Sequence, residues 1–566
     1  MGHRLGRRFA ATLLLTAVSM GLHGSGCLLR ADDADKRRDG APGTGGNGDT
    51  GGDGGGGGIV PPLAACDPET AEGGVDKACG VFVSTEVVEG AVGTKEKPFS
   101  SINDAIALAV SSNKRRVYVC VGDFAEAVSV PKDVTIFAGL DCKAEGEKWP
   151  LARMEKTVLT TPSTASPGTV PLTISAAGGS VEIKDFHVKT PAIVVDTENP
   201  DSPDNADKHG KSSVAAIVDG GSVSFVRCIL EAHDATPGAP DKAETSLARQ
   251  GEDGSTGKAA CTESFVTPNP PPENDCSTME YPNYISIGGS GGNGSSAQAG
   301  AGSAGSPGET TNLNGGTRTG DQCGHGKSGR PGEMGDAGDP GSGVGTITSA
   351  GYTGVPGENG KPGTGEMGDA GDPGSGIGTI TSTGYTGDPG KNGKPGTPGQ
   401  GGGGGAGARG GDSACPTGSM GKGGASGGSG GAGGCGGLGG RGGGPGGSSI
   451  ALISINATLS FQEVRLSAKA GGAGASGAPG QRGGPGGGPG RGGAKGMTDF
   501  SGGCDGGRGG DGGDGGPGGK GSDGHSLGIA FLGTPPPEEA EGVVTIQVGT
   551  AAGNGLVAKT HDFAAP

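Results

Sequence analysis

Ser212 to Ala232 (SSVAAIVDGGSVSFVRCILEA) and Ser448 to Ala468 (SSIALISINATLSFQEVRLSA) align without a gap, although 236 positions separate them, and 8 of their 21 positions are identical. Apolar residues meet apolar residues: Val223 with Leu459, Phe225 with Phe461, Cys228 with Val464, and Leu230 with Leu466. A third copy precedes them in GGSVEIKDFHVK, where Val181, Ile183, Phe186 and Val188 take the same four places. Short strands with matched inward residues, far apart in sequence, are what a β-solenoid produces when loops are extruded between its coils. Those twelve residues are the expected core.

The chain has 566 residues, with 134 glycines, 39 prolines and only 3% aromatics. About 200 to 250 residues carry the patterning needed for a packed core. The excess length is therefore Gly-rich insertion, not extra domains. The net charge is −17. Such an acidic chain repels phosphate backbones and has no basic stripe with interleaved aromatics, which argues against nucleic-acid binding.

Export is the firmest functional expectation. Arg4, Arg7 and Arg8 form a basic start, and Phe9 to Met20 (FAATLLLTAVSM) is apolar but too short to span a bilayer. Residues 1–26 thus read as a signal peptide. Gly24-Ser25-Gly26-Cys27 resembles the lipobox of bacterial lipoproteins, although Gly24 stands where Leu is usual. The resemblance implies an acylated Cys27 that anchors the protein to a membrane. Leu28 after the Cys, by resemblance to the enterobacterial sorting rule, implies the outer membrane or cell surface. Residues 27–62 are a charged and Gly-rich tether.

Of twelve cysteines, one goes to lipid, and Cys228 shares the core column of Phe186 and Val464 as a small hydrophobe. The others suit disulfides in an oxidising envelope, with Cys66–Cys79, Cys120–Cys142 and Cys261–Cys276 expected as local pairs. No Cys/His spacing resembles a zinc site.

Folded sequence is expected from about residue 63. Val81 to Ser84 reads as a strand, followed by a short helix with Ile102, Ile106 and Ala109 on one face and Ser100 or Ser101 as its cap. Strands at Val117 to Val121, Ala127 to Val130 and Val134 to Phe137 complete the pattern. The run Gly-Thr-x-x-x-Pro-Phe-x-Ser-Ile-x-x-Ala-Ile, then Arg-Val-Tyr-Val-x-x-Gly-x-Phe-x-Glu, closely resembles the N-terminal part of right-handed parallel β-helix proteins of the pectin-lyase-like superfamily. That resemblance implies an all-β solenoid whose open end the helix covers.

The domain plan follows. The cap and first coils occupy 63–232, one coil 448–468, and the final strands 526–566. Gly-rich insertions fill 233–447 and 469–525, and a shorter irregular insert runs from Thr190 to Lys211. Each insert begins just after the fourth core position of a repeat, so all should project from one corner of the coil. Within the large one, 332–364 and 365–397 form a tandem repeat differing only at Val344/Ile377, Ala350/Thr383, Val355/Asp388 and Glu358/Lys391. Its Gly-X-Y runs are short and shift phase, which disfavours a collagen triple helix. The Gly-Gly-X tracts are similar in composition to the arms of polymorphic GC-rich-repeat surface proteins. Glycine at that density implies either disorder or bundled extended helices with three residues per turn.

No catalytic constellation emerges. Pectin-lyase-like enzymes carry clustered outward carboxylates, but here Glu182 stacks on Ser224 and Ser460, and His187 on Ile229 and Arg465. His187 reads as a solvated face residue. Gly326-Lys327-Ser328 lacks the earlier glycine of a phosphate loop, and Gly424-Ala425-Ser426-Gly427-Gly428 meets the nucleophile-elbow pattern as almost any Gly/Ser tract does. The acidic loop Asp196 to Asp207 lacks the Asp-x-Asp-x-Asp-Gly order of a Ca²⁺ loop, and the GGDGGDGG tract lacks the apolar position of Ca²⁺-binding nonapeptide repeats, so Ca²⁺ is unsupported and no cofactor is expected. The expectation is a non-enzymatic envelope lipoprotein displaying Gly-rich loops, its partners a membrane and envelope components such as polysaccharide. The alternative is a carbohydrate-active enzyme.

Overall fold

The computed structural model describes residues 63–306 and 370–563, apart from 72–73, 145–147, 153, 197, 199–201, 279–281, 297, 375, 413–414 and 498–501. The signal peptide, Cys27, the tether, Gly326-Lys327-Ser328 and the first tandem copy lie outside the described residues.

Among the described residues two α-helices, α1 (Leu63–Cys66) and α2 (Ile102–Ser111), accompany 24 short strands. The first twelve are β1 (Val81–Val83), β2 (Arg116–Cys120), β3 (Gly122–Ala125), β4 (Val128–Pro131), β5 (Val134–Leu140), β6 (Thr157–Thr160), β7 (Leu172–Ser175), β8 (Ser180–Lys184), β9 (Phe186–Lys189), β10 (Ser213–Asp219), β11 (Ser222–Val226) and β12 (Ile229–Glu231). Within the inserts come β13 (Phe265–Val266), β14 (Glu273–Asp275), β15 (Ile285–Ile287), β16 (Gly294–Ser295), β17 (Thr379–Thr381) and β18 (Gly384–Thr386). The last six are β19 (Ser449–Ile455), β20 (Thr458–Gln462), β21 (Val464–Ser467), β22 (Ser526–Leu532), β23 (Val544–Gln547) and β24 (Val557–Asp562).

Eighteen of these strands build three six-stranded sheets. Sheet I runs β1-β2-β5-β8-β11-β20, sheet II β3-β6-β9-β12-β21-β23, and sheet III β4-β7-β10-β19-β22-β24. All of their pairings are parallel. The register keeps the two sequence offsets throughout. Ser213 pairs with Ser449, Ser222 with Thr458, and Ile229 with Arg465, while Ser222 pairs with Ser180 and Ile229 with His187. The inward ladder Ile136–Ile183–Phe225–Phe461 follows in sheet I, as does Val188–Leu230–Leu466 in sheet II. All twelve core residues named from the sequence are buried in one cluster.

The corners repeat as well. Asp185, Arg227 and Glu463, one per copy, turn the chain from sheet I to sheet II with φ of 58°, 52° and 53°. A non-glycine residue in that left-handed region costs about 1–2 kcal/mol, and at the first two corners side-chain cross-links hold it. Arg227 grips Asp185 through Nε–Oδ1 at 2.9 Å and Nη2–Oδ2 at 2.7 Å, and Lys156 Nζ lies 2.8 Å from Asp185.

Helix α2 buries Ile102, Ala105, Ile106 and Ala109 in the core cluster beside Val81 and Val117 of β1 and β2. Its cap is Ser101, whose Oγ accepts from Asp104 N–H at 3.2 Å. Glu126, the last residue of the motif quoted above, supplies a second cap by accepting the Ile102 N–H at 2.6 Å. A carboxylate at a helix N-terminus also meets the positive end of the helix dipole. Outside sheet I, Cys66, Cys79, Phe82, Tyr118, Phe137 and Trp149 form a second small cluster, stapled by Cys66–Cys79 and Cys120–Cys142.

Candidate functional site

The feature that dominates the chain outside the sheets is built from its glycine tracts. Every third N–H from Gly428 to Gly446 donates to segment 503–524 (Gly437 to Gly513 O, 2.9 Å). Every third N–H from Gly390 to Gly405 donates to segment 424–447 (Gly399 to Gly434 O, 2.8 Å), and segment 503–524 donates back to 388–408 (Gly510 to Gln400 O, 2.8 Å). Three extended segments thus close a ring of hydrogen bonds. A second ring shares the middle segment: Cys435 N–H donates to Arg249 O, Ala248 to Arg482 O, and Gly484 back to Cys435 O. The period is that of an extended helix with three residues per turn, which has no internal hydrogen bonds and must find partners outside itself.

Glycine is where neighbours come close. A Cβ on Gly434 would lie 1.9 Å from Gly484 O, and one on Gly430 would lie 1.8 Å from Gly402 O. Segment 424–447, which donates in all three registers, is Gly-Gly-X, and its X positions are small where covered: Ser426, Ser429 and Ala432 are buried. Segment 388–398 is Gly-X-Y. It becomes unbroken glycine at 401–405, where Gly404 N–H meets Ser303 O and Gly289 N–H meets Gly402 O. The number of glycine registers therefore tracks the number of packed neighbours. Of the two sequence expectations for these tracts, the structure adopts the bundle.

The bundle is fixed to one corner of the sheets. The inserts leave from β9, β12 and β21 of sheet II and return at β10, β19 and β22 of sheet III. Its own staples correct one expectation. Cys261 and Cys276 do not pair with each other; Cys261 bonds Cys415 and Cys276 bonds Cys435. Proximity in sequence misled because the bundle brings together segments 154 and 159 positions apart. Cys504 is disulfide-bonded too. Cys228 is a free, fully buried thiol, and burial pushes its pKa up to about 12, which leaves it inert.

The residues weighed for chemistry have other tasks. Asp511 and Asp514 of the GGDGGDGG tract accept the Gly486 and Gly483 N–H groups at 2.8 Å, so they complete backbone pairing in the bundle. Ser426 is buried, its Oγ accepting from Lys258 N–H at 2.8 Å. The side-chain oxygen of Asn205 accepts the Asp196 N–H at 3.0 Å, and its amide donates back to Asp196 O. Among the described residues no group of three or more His, Cys, Asp or Glu is placed to hold a metal ion.

On the outer face of sheet I, Glu182 lies between Thr135 and Ser224, with Ser460 one strand further along, in a groove of about 480 Å³ also lined by Asp133 and Ser180. Glu182 faces the Lys184 ammonium at 3.6 Å, and Asp133 Oδ1 accepts the Ser180 N–H at 3.2 Å. His187 is less solvated than the sequence implied. Its Nε2 lies 3.2 Å from Glu231, the neighbour one coil on and one column over, which the sequence columns did not connect. Burial alone would raise the Glu231 carboxyl, but the His187 hydrogen bond and the charges of Lys469 and Lys189 hold it below the usual value. The result is a hydrogen-bonded His–Glu pair on the outer face of sheet II.

No protein-family model matches the chain, and neither curated proteins nor solved structures give a significant match.

Proposed function

We propose that this chain is a non-enzymatic lipoprotein of the cell envelope. In this reading the three sheets are a short right-handed parallel β-helix of the pectin-lyase-like kind, and the glycine bundle is the part it presents, in a structural or adhesive role. The carrying observation is that the long inserts leave sheet II, return to sheet III and meet one another in a single hydrogen-bonded bundle. A scaffold that gathers its insertions on one side has a working face there. The hydroxyl-lined groove over Glu182 and Asp133 favours the second reading, a carbohydrate-active enzyme; in it Asp133 accepts the Ser180 N–H and Glu182 faces the Lys184 ammonium.

Two experiments test the proposal. Cys27→Ser should move the protein from the membrane fraction to the soluble envelope fraction. A variant that partitions like wild type removes the lipid anchor from the reading. Separately, replacing residues 233–447 by a short Gly/Ser turn should leave the parallel sheets folded. The ends of that insert already touch, Ser449 Oγ donating to His233 O at 2.8 Å, and loop closure depends only logarithmically on length. The shortened protein should keep its β circular dichroism and cooperative melting and lose surface adhesion. Loss of the β signal would make the bundle part of the core and end the display model.

A further inference from the structure

The outer face of sheet III is apolar, with Val214, Ile217, Ile450, Ile453 and Leu527 in one cluster. The β17–β18 hairpin of the second tandem copy lies on it through Ile380 and Tyr385. One histidine ties this cover down. His525, only 4% exposed, precedes β22. Its Nδ1 accepts the Leu556 N–H at 2.9 Å, and its Nε2 lies 2.8 Å from Ile377 O. A backbone N–H can only donate and a carbonyl can only accept, so both contacts together require the neutral ring with its proton on Nε2. The ring packs edge-on to Tyr385 with centroids 5.4 Å apart.

Titratable groups face His525 from three elements. The hairpin brings Tyr385 and, past its end, Asp388, whose backbone bonds Ser522 at 2.9 Å. Strand β24 brings His561, whose Nε2 is buried without a partner. Segment 503–524 brings Asp523, but both its oxygens lie 2.8 Å from Lys520 Nζ and also accept the Gly474 and Asn554 N–H groups. Burial, with a further contribution from His561, holds the His525 pKa below its ordinary value, although the Ile377 contact acts the other way. Leu556 immediately precedes β24, the edge strand of sheet III, which among the described residues pairs only with β22.

We propose that His525 is an acid-sensitive latch that ties the start of β24 into sheet III beside the tandem-repeat hairpin and releases β24 when Nδ1 is protonated, while the Nε2 contact to Ile377 O, a donor's contact in either state, persists. An imidazolium has no lone pair for the Leu556 N–H, so two donors then face each other. Because the folded-state pKa is depressed, the unfolded chain takes the proton first. The latch is complete above the ordinary histidine pKa of about 6.5 and weakens as pH falls below it.

The test is hydrogen exchange on the full chain at pH about 7.5 and about 5.0, corrected for intrinsic exchange chemistry. Amides of β24 should lose roughly tenfold or more of their protection in acid while β11 and β20 keep theirs, and binding of an apolar dye should rise in parallel. His525→Asn, which keeps an acceptor but cannot titrate, should show no such loss, and His561→Asn should still show it. Unchanged β24 protection in wild-type protein would overturn the latch without any variant. So would an acid response that persists in His525→Asn or disappears in His561→Asn.

Discussion

Alanine at Gly434 should destabilise the glycine bundle by about 3 kcal/mol or more, at the upper end of overpacking costs. The added methyl would sit 1.9 Å from Gly484 O and 2.7 Å from Pro485 O, and both are backbone atoms that no rotamer change can move. Shifting segment 470–494 away would break the Gly484–Cys435 bond and, with it, one side of the second ring. Arg441→Ala, at an exposed X position seven residues along the same segment, should stay within about 0.5 kcal/mol. The contrast isolates register, because both substitutions fall in the same Gly-rich tract. Measured by thermal unfolding and by exchange of the Gly437 and Gly440 amides, equal effects at the two sites would mean the tract is not packed through its glycine registers.

The sheets were legible because a gapless repeat converts directly into register. An offset of 236 aligned Phe225 with Phe461 on paper, and the same offset pairs them in sheet I. The helix cap and the two local disulfides followed from signals that operate over fewer than 25 positions. The bundle was legible only in part. Gly-Gly-X composition limits a chain to disorder or bundled extended helices, but the choice depends on partners such as Gly399 and Gly434 or Gly434 and Gly510, which no local pattern announces. Cys261 and Cys276 went astray for the same reason, their true partners lying across the bundle. A usable signal was present: the change from Gly-X-Y at 388–398 to unbroken glycine at 401–405 marks where extra neighbours arrive. The pairing of His187 with Glu231 is not legible in the repeat because an equal offset places His187 opposite Ile229, and this contact runs diagonally from β9 to β12.

Phe225→Ala should cost about 3–5 kcal/mol, the sum of lost burial and the cavity left behind. Phe225 is fully buried between Ile183 on one coil and Phe461 on the next, its ring 6.2 Å from that of Phe461 at an interplanar angle of 28°. Parallel strands held by hydrogen bonds on both sides cannot close inward to fill the space, so little of the cavity should collapse. Phe461→Ala removes the same side chain from the same ladder but should cost less. Phe461 keeps 8% of its surface exposed, and among the described residues sheet I has no strand beyond β20, so relaxation is easier on that side. Ser224→Ala, one position from Phe225 and on the outer face beside Glu182 and Ser460, should be nearly neutral. Urea unfolding of the three variants should therefore rank Phe225→Ala below Phe461→Ala and both well below Ser224→Ala. A Phe225→Ala protein as stable as Ser224→Ala would reverse the inward and outward columns, and the reading of every outer face would fall with them.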